Sequence, residues 1–398
     1  MRSITLYTEE IDDLNEAVEE LFAQAEGFEF AKNSMAILFT EEETDYPELY
    51  RLLSVKWKFP VIGCTAMAML TGKEGYCAMG ISVMILTSDT CEFAAGITGP
   101  LNTDNYYDVI GEEYRKTKSG LSSEPKLIIA YGGMVTDETS VPGDYIVDTL
   151  DDVSGGVTVY GATASDGFTF TGFRVFCNGE QLKDGVVMGL VSGDINPKTI
   201  CVNSIENKAS FTYQITESRR NQVYRLGNGT FVETLKKEGM EADKIDVLGD
   251  YLLSPFMVTM DKGDGDSVEA VRNLSVLNHD TGTGSFLGVM PEGSILGIGL
   301  LNRSDVQDTV NQAFDMILKE LETPGNTFHT LLCNSCVARF LALASNTAAE
   351  AETYMDRLPK GVSLMGLYAY GEYCPVRGSR TGKEYNMFHN FTFTILAM

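Results

Sequence analysis

From Met35 to Ile97 the apolar positions fall into short runs broken by polar turns. AILFT (36–40) predicts a strand, PELYRLLSVKWK (47–58) a helix and PVIGCTA (60–66) a second strand. YCAMGISVMIL (76–86) and CEFAAGIT (91–98) then read as a hairpin-like pair. The order returns at LIIAY (127–131), DYIVDTLDDV (144–153) and VTVYGATA (157–164), followed by FRVFCNGE (173–180) and DGVVMGLVSG (184–193). It returns again as HTLLCN (329–334), a long helix over VARFLALASNTAAEAETYMDRL (337–358), SLMGLYAYGE (363–372) and a closing strand FTFTIL. The expectation is an α/β protein with mixed sheets and flanking helices, containing internal strand-helix-strand-hairpin repeats. Chance alternation is the competing explanation, since any α/β chain alternates in this way.

The segment from Ser204 to Gly239 is polar and basic, with a short helix pattern at its end, and reads as a domain junction. Beyond it LLSPFMVTM, SVEAVRNLSVLNHD, GSFLGVM and SILGIGLLN predict successive strands, then a helix opening at Ser304 with Gln307 completing a capping box. This half is as much α+β as strict α/β. Two domains are expected: an N-terminal helical extension over 1–30, a first domain over 31–203, the junction 204–239 and a second domain over 240–398.

In each copy the strand after the helix is expected to end in polar residues: Cys64 and Thr65, then Thr163, Ser165 and Asp166, then Glu372. Ligands of open α/β sheets sit beyond such strand ends. The plainer reading is that Gly63, Gly161 and Gly371 supply turns and their polar neighbours cap loops. The C-terminal runs also carry Cys333, Cys336, Arg339, His389 and Asn390 among apolar neighbours, where an unpaired charge is costly. These groups must therefore meet one another, water or a ligand.

Composition narrows the function. The 56 acidic residues against 30 basic ones give a net charge of -26, which repels nucleic acid and anionic membranes. Neither a cationic start followed by an apolar run nor an apolar stretch of membrane-spanning length is present, so a cytoplasmic protein is expected. The eight cysteines are spread through apolar runs and read as reduced, structural thiols. Cys333 and Cys336 have the spacing of thiol-disulfide exchange motifs at a helix start, but the pair between them is Asn334 and Ser335. Three histidines cannot complete a zinc site, DKGDGD (261–266) puts glycines where calcium ligands would fall, and TGTGSFLG (281–288) lacks the end of a phosphate loop. No metal, cofactor or catalytic residue is assigned, and a carboxylate pair such as Asp166 with Glu372 is a weak signal of acid-base chemistry.

VIGCTA (61–66), GISVMIL (80–86) and VTVYGATASDGF (157–168) before DGVVMGLV (184–191) resemble the FIST N-terminal domain. NQVYRLGNGTFVETLKKEG (221–239), SPFMV, VEAVRNL, MPEGSILGIGL, SCVAR, GLYAYGEYCPV and FHNFT resemble its companion, the FIST C-terminal domain. The resemblance implies a bacterial, intracellular signal-transduction module that senses a small polar ligand such as an amino acid, with output passed to a separate protein. An amino acid requires a cationic clamp, here Arg272 and Arg339, and an anionic partner, Glu372 or Asp166. Asn390, Thr163, Ser165, Thr65 and Cys336 would add neutral contacts, with Tyr368, Tyr370 and Phe388 as an apolar wall. An Arg339–Glu372 structural pair is the bland alternative for those two residues. An enzyme of unrecognised chemistry and a partner-docking scaffold are the other function classes.

Overall fold

A computed structural model describes residues 1–398 except 135, 138, 204, 206, 241, 264 and 324. The predicted repeat is present three times, each copy built on two parallel strands joined by helix. The first pairs Asn33–Thr40 with Val61–Thr65 across the helix Tyr46–Leu53. Asp45 caps that helix by accepting from the Glu48 amide at 3.2 Å, and Tyr46, Leu49 and Leu53 form its buried stripe. The second pairs Pro125–Gly132 with Thr158–Thr163 across Gly143–Ser154, which Gly155 ends in the left-handed region. The third pairs Thr330–Cys336 with Ser363–Ala369.

The crossover of the third copy is not the single helix expected over 337–358. It is two short helices, Val337–Leu343 and Ala349–Met355, separated at Ala344, whose φ is 55°. In an unbroken helix Arg339 and Glu350 would share a face but lie about 16 Å apart along the axis. The break folds the second helix back and brings Arg339 Nη2 to 2.6 Å from Glu350 Oε1.

Each parallel pair sits inside a six-stranded sheet, flanked on one side by a later strand of its own copy and on the other by a hairpin from a different copy. Sheet one runs Arg2–Thr8, Ile81–Ser88, Asn33–Thr40, Val61–Thr65, Val175–Cys177, Glu180–Leu182. Sheet two runs Cys91–Ile97, Val186–Gly193, Pro125–Gly132, Thr158–Thr163, Glu372–Arg377, Glu384–His389. Sheet three runs Lys198–Val202, Phe393–Ala397, Thr330–Cys336, Ser363–Ala369, Met69–Thr71, Gly75–Cys77. The hairpin after the first copy therefore completes sheet three, that after the second completes sheet one, and that after the third completes sheet two. The far edges are exchanged in the opposite sense: Cys91–Ile97, after the first copy, edges sheet two, and Lys198–Val202, after the second, edges sheet three. The expected hairpin pair at 76–98 is accordingly divided: Ile81–Ser88 lies in sheet one and Cys91–Ile97 in sheet two. The segment 1–30, expected to be helical, contains the helix Leu14–Gln24 but opens with the strand Arg2–Thr8, which fills the vacant edge of sheet one.

The inner faces of the three sheets share one core. Ile37 and Ile62, Ile129 and Tyr160, and Leu367 and Ile395 all belong to it. The Tyr160 hydroxyl donates to the Leu332 carbonyl at 2.7 Å, and the Asn334 amide to the Gly161 carbonyl at 2.8 Å, so buried polar groups are paired between sheets. Helices cover the outer faces, with Leu21 and Leu49 on sheet one and Ile110, Ile146 and Leu150 on sheet two.

The glycines expected at turns have a different role. Gly63, Gly161 and Gly366 lie within the second parallel strand of their copies, opposite Leu38, Ala130 and Cys333. An added Cβ would stand 1.8 Å from the Leu38 carbonyl oxygen, 1.7 Å from that of Ala130 and 2.2 Å from that of Cys333. The backbones approach too closely for any side chain. The third equivalent is Gly366, not Gly371.

Residues 207–237, within the stretch read as a junction, form strands Asn207–Arg219, Gln222–Leu226 and Gly229–Thr230 and the helix Phe231–Lys237. The strands join an eight-stranded sheet in the order Asp266–Arg272, Phe256–Gly263, Ile295–Leu300, Asn207–Arg219, Gln222–Leu226, Thr283–Phe286, Leu274–Asn278, with Gly229–Thr230 pairing beside Gln222–Leu226. Only Asn273 separates the strands at the two ends of this path, so the sheet is strongly curled. Phe231, Phe256 and Phe286 fill it. The run DKGDGD spans the turn between two antiparallel strands, and its Asp264 lies outside the described residues. The helix expected to open at Ser304 is Arg303–Leu321, capped by Asn302 with Asp305 completing the box; Gln307 takes no part.

The threefold close approach gives a test. Gly161→Ala or Gly366→Ala is expected to lower the unfolding free energy by about 3 kcal/mol or more, since backbone and not a flexible side chain must move. Gly99→Ala, whose methyl group meets nothing within 4 Å, should change it by no more than about 0.5 kcal/mol in urea unfolding.

Candidate functional site

The ten candidate residues do not form one cluster. Thr65, Thr163, Ser165, Asp166 and Tyr370 gather where the three copies meet. Ser165 Oγ accepts from the Met67 amide at 2.9 Å and donates to the Tyr368 carbonyl at 2.5 Å. Thr65 Oγ1 accepts from the Arg174 amide at 2.9 Å. Asp166 accepts from the Tyr370 hydroxyl at 2.5 Å, Thr169 Oγ1 at 2.8 Å and the amides of Phe170, Thr171 and Gly172. Burial raises the Asp166 pKa, but these donors together outweigh it and hold the carboxyl below its ordinary value. Its acceptor sites are filled by its own loop and Tyr370, which fixes the strand ends to one another.

Arg272 and Arg339 are fully buried and separately paired. Arg272 Nη2 meets Asp144 at 2.6 Å, Nη1 donates to the Phe388 and Val271 carbonyls, and Nε donates to the Val289 carbonyl. Asp144 also accepts from the Val289 amide at 2.8 Å, so this pair ties the curled sheet to the helix Gly143–Ser154. Arg339 pairs with Glu350 and donates to the Val306 carbonyl at 2.7 Å, while Ser335 Oγ donates to the other Glu350 oxygen at 2.7 Å. The structural pair is therefore Arg339–Glu350, and Glu372 is not its partner. Both guanidinium charges are committed to the fold.

Glu372 opens a strand of sheet two; the strand Ser363–Ala369 before it ends at Ala369. It is fully buried, one oxygen accepting from the Thr392 hydroxyl at 2.6 Å and amide at 3.2 Å. Burial raises its pKa well above the ordinary range despite those donors. Glu372 Oε1 and both side-chain amide atoms of Asn390 have no protein partner. Cys333 and Cys336 lie on the strand Thr330–Cys336 rather than after it. Three positions apart, they point to opposite faces, Cys333 into the three-sheet core and Cys336 into a cluster with Ala338 and Phe391. Burial raises both thiol pKa values, so this pair is not built for exchange chemistry.

Tertiary structure exposes a different polar site. A cleft of about 470 Å³ lies along the seam between the loop after Pro125–Gly132 and the curled sheet. Arg219, Arg220, Asn221, Gln222 and Tyr224 line one side, Thr136 and Asp137 face them, and Val276, Phe286 and Leu287 supply apolar wall. Arg220 occupies the left-handed region at φ 56°, a conformation that costs a non-glycine residue about 1–2 kcal/mol. The turn is held by backbone bonds: the Met290 amide donates to the Arg220 carbonyl and the Phe286 amide to that of Asn221, both at 2.9 Å. Arg220 Nη2 reaches across the seam to the Ser140 carbonyl at 2.5 Å. SRRN (218–221) was visible in the sequence as a basic patch, but nothing local revealed that it faces Asp137, 82 positions earlier.

A three-sheet body joined to a curled sheet, with a polar arginine-bearing cleft along their seam, defines a two-part α/β module suited to a small guest. The chain belongs to the FIST family: residues 34–228 match the FIST N domain and residues 233–375 the FIST C domain. FIST domains are sensory, small-ligand-binding signalling domains. No curated protein matches the chain. Solved structures with some likeness include a cyanuric acid hydrolase from A. caulinodans, at 8% identity, covering 52% of this chain and 73% of that one with a TM-score of 0.31. A second cyanuric acid hydrolase, described as an innovation by structural concatenation, has 8% identity, coverage of 100% and 99%, and a TM-score of 0.37. A chorismatase has 10% identity, coverage of 100% and 98%, and a TM-score of 0.37. Likeness at this level carries no argument about activity. No helix among the described residues is long and apolar enough to cross a membrane.

Glu372 offers a test of its burial. Its raised pKa means the folded state keeps a proton that the unfolded chain releases above about pH 4.3, so stability falls as pH rises from there towards the folded-state value. Glu372→Gln does not titrate and should gain on the parent by about 1.4 kcal/mol per pH unit over that window. Urea unfolding at about pH 4 and pH 7 measures this; an equal difference at both would contradict the assignment.

Proposed function

We propose that this chain is a cytoplasmic sensor module that holds a small carboxylate-bearing ligand of amino-acid size in the seam cleft, binds it without transforming it, and signals through a separate output protein. The supporting observation is the pair Arg219 and Arg220 on a strained, backbone-anchored turn that opens into a cleft lined by both FIST segments. Backbone strain of this sort collects at ligand clamps, where the surrounding structure over-determines it. Arginine donors suit a carboxylate, and the exposed Arg219 is placed to supply them. Asp137 offers the opposite charge for an ammonium group, and Asn221 and Tyr224 offer neutral hydrogen bonds. The volume exceeds that of one amino acid, leaving room for water or a larger side chain.

The position supports sensing. A ligand spanning the turn and the facing loop contacts both bodies at once, so it favours whichever arrangement presents both walls. Without such differential contact no signal could arise.

A thermal-shift screen of amino acids and small dicarboxylates should find a stabiliser, giving about 2.7 kcal/mol at a concentration 100 times its Kd. Arg219→Ala is expected to weaken that ligand by about 10–100-fold, the worth of a charge-assisted hydrogen bond, with the unliganded protein unchanged in stability. Arg272→Ala, which breaks a buried ion pair, should instead lower stability by about 3–5 kcal/mol. A screen without a stabiliser, or a ligand indifferent to Arg219→Ala, would count against the seam cleft.

A further inference from the structure

Among the eight cysteines Cys201 alone is not buried. It lies on the edge strand Lys198–Val202 of sheet three and lines a second cleft, of about 1010 Å³. Behind it are Cys374 and His389, both on the exchanged hairpin of sheet two, and Thr392. Cys374, His389 and Thr392 are the side chains that act on the Cys201 thiol. Cys374 Sγ lies 3.6 Å from the carbonyl oxygen of Ile200, the neighbour of Cys201, and His389 Nε2 lies 3.0 Å from the Cys374 carbonyl oxygen. The cleft carries four basic side chains, Lys126, Lys198, Lys319 and Arg377, against three acidic ones, a local excess of positive charge in a chain of net charge -26.

We infer that Cys201 and Cys374 form a reversible, hydroperoxide-sensitive dithiol, with Cys201 as the attacking sulfur and Cys374 as the resolving one. The Cys201 thiolate attacks the terminal oxygen of a hydroperoxide. The O–O bond breaks, the alcohol or water leaves with a proton, and Cys201 becomes a sulfenic acid, oxidised by two electrons. The Cys374 sulfur then displaces the sulfenic oxygen, which departs as water with the Cys374 proton, and the S–S bond forms. The pair's electrostatics agree with these roles. The hydrogen bond from Cys374, and the charge and hydrogen bond of His389, lower the Cys201 pKa well below the ordinary thiol value against the effect of burial. Burial and the neighbouring Cys201 raise that of Cys374. The direction of both shifts favours the thiolate on Cys201, the member of the pair whose residue lines the cleft.

The disulfide would staple the edge of sheet three to a hairpin of sheet two, two segments already brought together by the cyclic exchange. That hairpin also touches the curled sheet, since Arg272 donates to the Phe388 carbonyl. Oxidation would thus tighten the element that joins the two bodies.

The test uses the full chain and hydrogen peroxide in small excess, followed by thiol blocking and peptide mapping by mass spectrometry. The expected result is loss of two of the eight thiols and about 2 Da, one linked peptide joining Cys201 to Cys374, and reversal by dithiothreitol. In Cys374→Ser, checked for folding by circular dichroism, a cyclic diketone should label a sulfenic acid at Cys201. At about pH 6, below the ordinary thiol pKa of about 8.5, iodoacetamide should modify Cys201 at least tenfold faster in the folded protein than in urea. His389→Gln should shift that pH profile upward. A linkage between other cysteines, or a folded Cys201 no more reactive than the unfolded one, overturns the proposal.

Discussion

Two parallel strands joined by a helix leave both outer edges open, and an open edge exposes a row of unpaired amides and carbonyls that invites pairing with any other chain. Here one edge of each pair is closed by a strand of its own copy, Ile81–Ser88, Val186–Gly193 or Phe393–Ala397, and the other by a hairpin from a different copy. The hairpin after Thr65 closes the third sheet, the hairpin after Thr163 the first, and the hairpin after Ala369 the second. None of the three units is complete without its neighbours, and the core they share is filled from all three inner faces. The close backbone approaches at Gly63, Gly161 and Gly366 are the local cost of packing the parallel pairs this tightly.

Buried charge is handled in the same way, by partners brought from elsewhere in the chain. Arg272 and Asp144 are 128 positions apart and join the two bodies, while Arg339 meets Glu350 only because the intervening helix breaks at Ala344. Removing one member of such a pair strands a charge in a medium that cannot solvate it, which is why these arginines belong to the framework. Asp166 is held by five donors around one turn and joins the strand ends in the same manner.

The candidate sites lie where segments far apart in the chain meet. The seam cleft borrows arginines from the curled sheet and an aspartate from the three-sheet body. The thiol pair borrows one sulfur from an edge strand and the other from a hairpin donated to a different sheet. Both are products of the topology, since neither set of residues is adjacent in sequence.

Apolar periodicity alone determined the strand-helix-strand units, their threefold recurrence and the α/β class, because burial of a strand pair under a helix is written locally in runs of five to eight apolar residues. The same local rules suggested buried polar groups at Arg339, Glu372 and Asn390 correctly, since apolar neighbours on both sides leave no other environment for them. Pairing was decided only by tertiary structure. Ile81–Ser88 and Cys91–Ile97 look like a hairpin because they are adjacent in sequence, yet the open edges they close lie in different sheets. Arg339 and Glu350 look like residues of one helix until a positive φ at Ala344 turns the chain. Cys201 and Cys374, 173 positions apart, carry no mutual signal in composition or spacing. Their contact follows from which sheet receives which hairpin, a choice made by the fit of whole surfaces that no local pattern of residues encodes.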